Sequence, residues 1–212
     1  MNEIVNEATR QRLLAIRFRF RELLEVDGGR PVRNKAVFYS GTSSSVQAFC
    51  SWLGTRNPSF LGATNLETFP AGAYLQSLMP ELKRLFGTDD FDKVQSFALP
   101  NGASFSGSLN GMWRELSARY AKACSGVVHV LVSHDRALLH RASLDFWAKG
   151  RQSSALPKAL KVFGFVELPI LVGMLSENSR VTAVNIYIEN QPRQFSLVHG
   201  GQLFVGQRPG TA

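Results

Sequence analysis

Two apolar runs constrain this chain more than anything else in it: Val127-Val128-His129-Val130-Leu131-Val132 and Val181-Thr182-Ala183-Val184-Asn185-Ile186-Tyr187-Ile188. Short runs this rich in Val and Ile favour extended backbone, where β-branched side chains pack well on a pleated surface. Near-continuous apolarity, rather than strict alternation, is the mark of strands covered on both faces. Val162–Leu171 reads as a third such strand, and Ala36-Val37-Phe38-Tyr39-Ser40 as a shorter one. Helical stretches lie between them, so the fold class is α/β (α+β) with a small, largely parallel sheet flanked by helices. The first hundred residues read as mostly helical. The predicted organisation is one domain of two lobes: a helical lobe over 1–110, an α/β lobe over 111–207, and a loose tail over 208–212.

The helical stretches carry their own punctuation. Residues 3–26 predict a helix with Leu13, Leu14, Ile16, Phe18, Phe20, Leu23 and Leu24 as its apolar positions; Arg10, Arg12, Arg17, Arg19 and Arg21 supply charge, and Asp27-Gly28-Gly29 ends it. After Ser40 comes Gly41-Thr42-Ser43-Ser44-Ser45, then a helix through Val46, Phe49 and Trp52. Such a turn leaves free backbone N–H groups for an anion, or simply caps the helix with a serine. Residues 65–79 and 80–87 predict two helices split at Pro80, and 97–110, rich in Gly, Ser and Asn, a loop. Residues 134–158 read as a helix plus a surface excursion.

Composition excludes several classes. With 44% hydrophobic residues in a length of 212, the chain has enough apolar mass for a sizeable core and too much for disorder. No apolar run reaches about 18 residues, so no membrane span is expected, and the N-terminal stretch lacks the apolar core of a cleaved signal. Two cysteines, Cys50 and Cys124, do not make a disulfide framework or a CxxC metal pair. A reducing compartment suits them. The net charge of +8 admits nucleic acid, an acidic protein, an anionic small molecule or a membrane surface as partner.

Two segments hold residues suited to chemistry. In 112–132, Trp113, Leu116, Tyr120 and Ala123 share a helical face, and Ser117 lies one turn after Trp113. Trp113 fits a core aromatic, or a flat wall for a planar ring. His129, alone among valines, reads as a core residue. Glu167 is a carboxylate inside the run Val-Phe-Gly-Phe-Val-Glu-Leu-Pro-Ile-Leu. An unpaired buried carboxylate costs several kcal/mol, so it either pairs with a base or meets a ligand where a strand ends at a cleft.

These segments resemble the ADP-ribosyl cyclases, which are NAD glycohydrolases. Trp113-x3-Ser117-x-Arg119-Tyr120-Ala121-x-Ala123-x3-Val127-Val128-His129-Val130 is similar to one stretch of that family without a gap. Phe163-Gly164-x-Val166-Glu167-x3-Leu171 is similar to the segment that holds its catalytic glutamate. Val37-Phe38-Tyr39-Ser40 and Leu66-Glu67-Thr68 with Gly72-Ala73-Tyr74-Leu75 resemble two further segments, in family order. The resemblance covers roughly 35–190 and implies an ADP-ribosyl-cyclase-like fold. It implies Glu167 as catalytic carboxylate, Trp113 as the wall that stacks on nicotinamide, and Glu67 as the acid governing nicotinamide handling. Tyr39 takes the place of a second stacking tryptophan, Ser117 lies beside the reacting ribose, and Ser40 and Phe163 line the phosphate and ribose region. The chain departs from the family in having few cysteines, in Tyr39, in Thr68 where an acid is usual, and in Val162 where a small hydroxyl residue is usual.

The chemistry accounts for these residue types. Nicotinamide in NAD is a cationic leaving group and departs without protonation, so the acid of an ordinary glycosidase is dispensable. A carboxylate beside the sugar stabilises the oxocarbenium-like centre left behind, and aromatic walls hold the pyridinium with about 0.5–2 kcal/mol each. No cofactor or metal is expected, since NAD or NADP is the substrate. An open pocket favours hydrolysis over cyclisation. A disulfide-poor enzyme of this kind would deplete its host's NAD, which points to an effector or toxin acting in cytoplasm after delivery by a specialised secretion route. An acidic immunity or inhibitor protein would then be its partner. The alternative is a non-catalytic basic module that binds nucleic acid or an acidic protein; against it, the basic residues are spread out and no nucleic-acid-binding motif is present.

Overall fold

The runs at 36–40, 127–132 and 181–188 are strands of one sheet in the computed structural model, which describes residues 7–27, 29–41, 43–89, 109–133, 166–176, 180–190, 193–198 and 203–207. The elements in chain order are α1 (Glu7–Val26), β1 (Ala36–Ser40), α2 (Val46–Arg56), β2 (Thr64–Asn65), α3 (Pro70–Ser77), α4 (Met79–Leu85), α5 (Leu109–Ala123), β3 (Gly126–Val132), α6 (Leu168–Ser176), β4 (Val181–Ile188), β5 (Arg193–Val198) and β6 (Leu203–Gln207). Short 3-10 turns occupy Pro58–Phe60 and Leu66–Thr68. The chain divides into two compact units, each assembled from two stretches: Met1–Gly29 with Glu67–Arg119, and Arg30–Leu66 with Tyr120–Ala212.

The first unit is helical. α1 buries Ile16, Phe20 and Leu24, spaced by four residues, and packs against α3. The Arg12 guanidinium grips both carboxylate oxygens of Glu81 on α4 at 2.6 Å. That hydrogen bond holds the Glu81 carboxyl below the ordinary range. Both side chains are substantially exposed, so the pair orients α4 more than it stabilises it. Arg21 reaches Glu115 on α5 at 2.9 Å. The expected break at Pro80 falls instead at Leu78, and Pro80 is the second residue of α4. The first turn of a helix has N–H groups with no acceptor inside the helix, so a proline there forfeits nothing. Of the expected 97–110 loop, residues 97–108 lie outside the described residues and Leu109 already opens α5.

The second unit holds the sheet, in the order β2-β1-β3-β4-β5-β6. β2, β1, β3 and β4 run parallel; β5 and β6 are antiparallel additions beyond the predicted strands. The register fixes the two faces. Val37 pairs with His129 and Tyr39 with Leu131, while His129 pairs with Asn185 and Leu131 with Tyr187. Side chains alternate along a strand, so these residues share one face. There α2 lays Val46, Phe49, Cys50 and Leu53 over Val37, Leu131 and Tyr187. Phe38, Val130 and Ile186 share the other face, where the Tyr120 ring meets Phe38 edge-on at 4.9 Å.

The stretch expected as a third apolar strand, Val162–Leu171, is not one. Residues 162–165 lie outside the described residues; Val166 and Glu167 form a π-type turn, and Leu168 begins α6. Leu168, Leu171, Val172 and Leu175 are all buried, which is the i, i+3, i+4, i+7 stripe of a helix. A short, fully apolar run fits a buried helix as well as a buried strand. Pro169, tolerated in a first helical turn, would have interrupted a central strand.

Candidate active site

The carboxyl ends of the parallel strands gather polar residues at one edge of the sheet. Ser40 ends β1 and is 5% exposed; Ser133 follows β3 and is 7% exposed. The Ser133 N–H donates to the Ser40 carbonyl at 3.0 Å, and the Glu189 N–H donates to the Val132 carbonyl at 2.8 Å. The Ser45 hydroxyl donates to the Glu189 carboxylate in a short hydrogen bond. Ser45 was one candidate to cap α2 through its side chain; its hydroxyl goes to Glu189 and makes no cap bond. Ser133 and Glu189 were missed from sequence. Their signal was there: each is the first polar residue after a buried strand, on the edge where open α/β sheets bind ligands.

Tyr39, expected in the place of a stacking tryptophan, and Ser40, expected in the phosphate and ribose region, point to opposite faces of the sheet, because consecutive strand residues do. Tyr39 is half-buried and packs against the cluster beneath α2. Phe163 lies outside the described residues.

Glu167 is 6% exposed and sits in the turn that leads into α6, not at the end of a strand. The helix that follows it, α6, contributes no charged residue. The Glu167 carboxylate acts on the buried Cys124 thiol. Burial first, and that negative charge second, push the Cys124 thiol far above its usual range. Cys124 donates to the Tyr120 carbonyl at 3.2 Å. Neither Cys124 nor Cys50 is in a disulfide.

The remaining expected site residues belong to the helical unit. Glu67 lies half-buried in the 3-10 turn before α3. Trp113 stands one turn into α5 and is 7% exposed, with Ser117 one turn later at 3%. Trp113 is therefore embedded, not set on an open rim, and its indole N–H has no acceptor among the described residues.

His129, expected as a core residue, is fully buried on β3. The Phe60 ring meets it edge-on at 4.3 Å, and Tyr187 lies 6.1 Å away. Neither ring nitrogen has a hydrogen-bond partner among the described residues. Burial drives its pKa down to about 4, against a weaker pull upward from the Asn34 backbone. It is neutral at pH 7. Among the described residues, no group of three His, Cys, Asp or Glu side chains is placed to hold a metal ion, and no helix is long and apolar enough to cross a membrane.

No protein-family model matches the chain, and no curated protein matches it in sequence. Among solved structures, a crystal structure of ADP ribosyl cyclase complexed with N1-cIDPR is similar to it, with 17% identity and a TM-score of 0.41. The match covers 74% of this chain and 50% of that one, so the chain spans half the length of that protein.

Proposed function

We propose that this chain cleaves the nicotinamide–ribose bond of NAD(P)+, with Glu167 as the catalytic carboxylate. The observation that carries this reading is the burial of Glu167 to 6% exposure at the head of a helix made only of apolar and small residues and one serine. A carboxylate placed there is suited to stabilising a positively charged reaction centre. The resemblance of the segment around Glu167, and of Trp113-x3-Ser117, to ADP-ribosyl cyclases supports the same assignment.

In this mechanism the C1′–N bond breaks and nicotinamide leaves neutral, taking the bonding pair. The ribosyl cation that remains is stabilised by the Glu167 carboxylate. Water adds at C1′ and releases one proton, giving ADP-ribose; capture by the substrate's own adenine gives the cyclic product instead. Trp113 stacks on nicotinamide, and its indole N–H, without an acceptor among the described residues, suits a carboxamide oxygen. Glu67 governs nicotinamide handling, Ser117 lies beside the ribose, and Ser40 and Phe163 line the phosphate and ribose region. Hydrolysis predominates. The biological role that fits is NAD depletion by a toxin or effector delivered into a target cytoplasm and restrained by an acidic inhibitor.

Nicotinamide release from NAD and NADP, followed for the wild-type chain and Glu167→Gln, tests this. Turnover by the wild type and its loss, by a hundredfold or more, in a variant of unchanged melting temperature supports the assignment. Absence of turnover in both, or full activity in the variant, overturns it.

A further inference from the structure

We propose that the outward face of α1 is a docking surface for an acidic amphipathic segment of a partner protein, about three helical turns long. α1 has two apolar stripes. Ile16, Phe20 and Leu24 form the buried one. Leu14, 41% exposed, and Phe18, 69% exposed, lie one turn apart on the opposite side. Single exposed apolar residues are ordinary. Here the two stand together in a shallow groove of about 700 Å³, lined also by Gln11, Ala15, Arg17 and Arg21.

The charges beside the groove select the partner. From Ala8 to Arg21 the helix carries five arginines and no acid; Glu7 precedes this stretch, and Glu22 and Glu25 follow it. Arg12 is engaged with Glu81 and Arg19 with Glu22, away from the groove. Arg10, Arg17 and Arg21 flank its apolar floor on one side. Arg10 is 3.5 Å from exposed Glu7, and Arg21 shares Glu115. Arg17 has no carboxylate within ion-pair distance among the described residues. A segment with apolar anchors on one face and Asp or Glu beside them meets both features. From Arg10 to Arg21 the helix rises about 17 Å, or three turns, and the acids at either end repel a longer acidic segment.

An anionic bilayer fits less well. A helix lying in a lipid interface needs a broad apolar face with basic flanks. This one offers Leu14 and Phe18 on the groove face and Val26 only at its last position, with Glu7, Glu22 and Glu25 also directed outward.

The test is selection of 16-residue random peptides displayed on phage, using the full chain as bait and Phe18→Ser as counter-bait. Enrichment of peptides that pair apolar residues at i and i+3 or i+4 with Asp or Glu supports the proposal. Synthetic versions should bind the wild type in a salt-dependent way. They should bind at least tenfold more weakly to Phe18→Ser and to Arg17→Glu, both with unchanged melting temperature. No enrichment, enrichment of basic or uncharged peptides, or binding indifferent to both variants overturns it. Phe18-dependent flotation with phosphatidylserine vesicles would assign the face to lipid instead. A Phe18-dependent dimer in light scattering would assign it to a second copy of the chain. None of these readouts involves NAD.

Discussion

The Tyr120 hydroxyl donates to the Thr64 carbonyl at 2.7 Å while accepting the Val37 N–H at 3.2 Å. One fully buried phenol thus ties the two-residue strand β2 to β1 and completes the parallel edge of the sheet. Burial, above all, holds that phenol neutral by raising its pKa well above 10, which keeps the donor proton in place.

Tyr120→Phe should therefore cost more than an ordinary hydrogen bond. It leaves a buried N–H and a part-buried carbonyl without their partner at once, a loss of about 1–3 kcal/mol. Urea denaturation of the variant would show a lower midpoint with an unchanged slope; an unchanged midpoint would mean that water takes over both bonds.

Gly126→Ala should be among the most damaging small substitutions. Gly126 has φ +73°, and an added Cβ would fall 1.9 Å from Asn34 Oδ1. That oxygen accepts the Val127 N–H at 2.8 Å, and Asn34 itself donates to the Ser125 carbonyl. The left-handed backbone contributes about 1–2 kcal/mol and the displaced Asn34 about 1 more. Gly87→Ala is the control: φ is +60°, but nothing lies within 4 Å of the new methyl, so only the backbone penalty remains. Equal losses for the two variants would contradict the Asn34 clasp.

Acid should weaken the sheet unit through His129. Its folded pKa, about 4, lies below the ordinary 6.5. Between those values the unfolded chain binds a proton that the folded one refuses, so stability falls as pH drops from about 6.5 to about 4 and then levels. The full effect is roughly 3 kcal/mol. Urea midpoints measured from pH 7 to pH 4.5 should decline, and the decline should shrink markedly in His129→Leu.

Both cysteines should be silent. Cys50 and Cys124 are buried and in no disulfide, and the Cys124 thiol is held protonated. Ellman's reagent should react only after denaturation, and dithiothreitol should leave the melting temperature unchanged. A marked fall under reducing conditions would reveal a disulfide that the fold does not contain.

Trp113→Phe separates packing from substrate contact. Phenylalanine keeps a buried ring but loses the indole N–H and part of the stacking surface. If Trp113 holds nicotinamide, turnover of NAD should fall by about tenfold, equivalent to about 1.4 kcal/mol, with little change in unfolding midpoint. Wild-type turnover in a folded variant would make Trp113 a core residue alone.

The sequence by itself determined which segments are buried and extended. Val127–Val132 and Val181–Ile188 are strands because β-branched runs have few better conformations, and α1 ends where Asp27 and Gly29 end it. It also marked Glu167 as a carboxylate inside an apolar run, and the residue is buried, 6% exposed. Only the tertiary structure decided which conformation that run takes. Residues 168–176 chose helix over strand because their buried residues fall at helical spacing, a pattern hidden when every neighbour is apolar. Ser133, Glu189 and Ser45 came together only because three strands end at one edge, and such non-local proximity is set by register and packing rather than by any local preference of the chain.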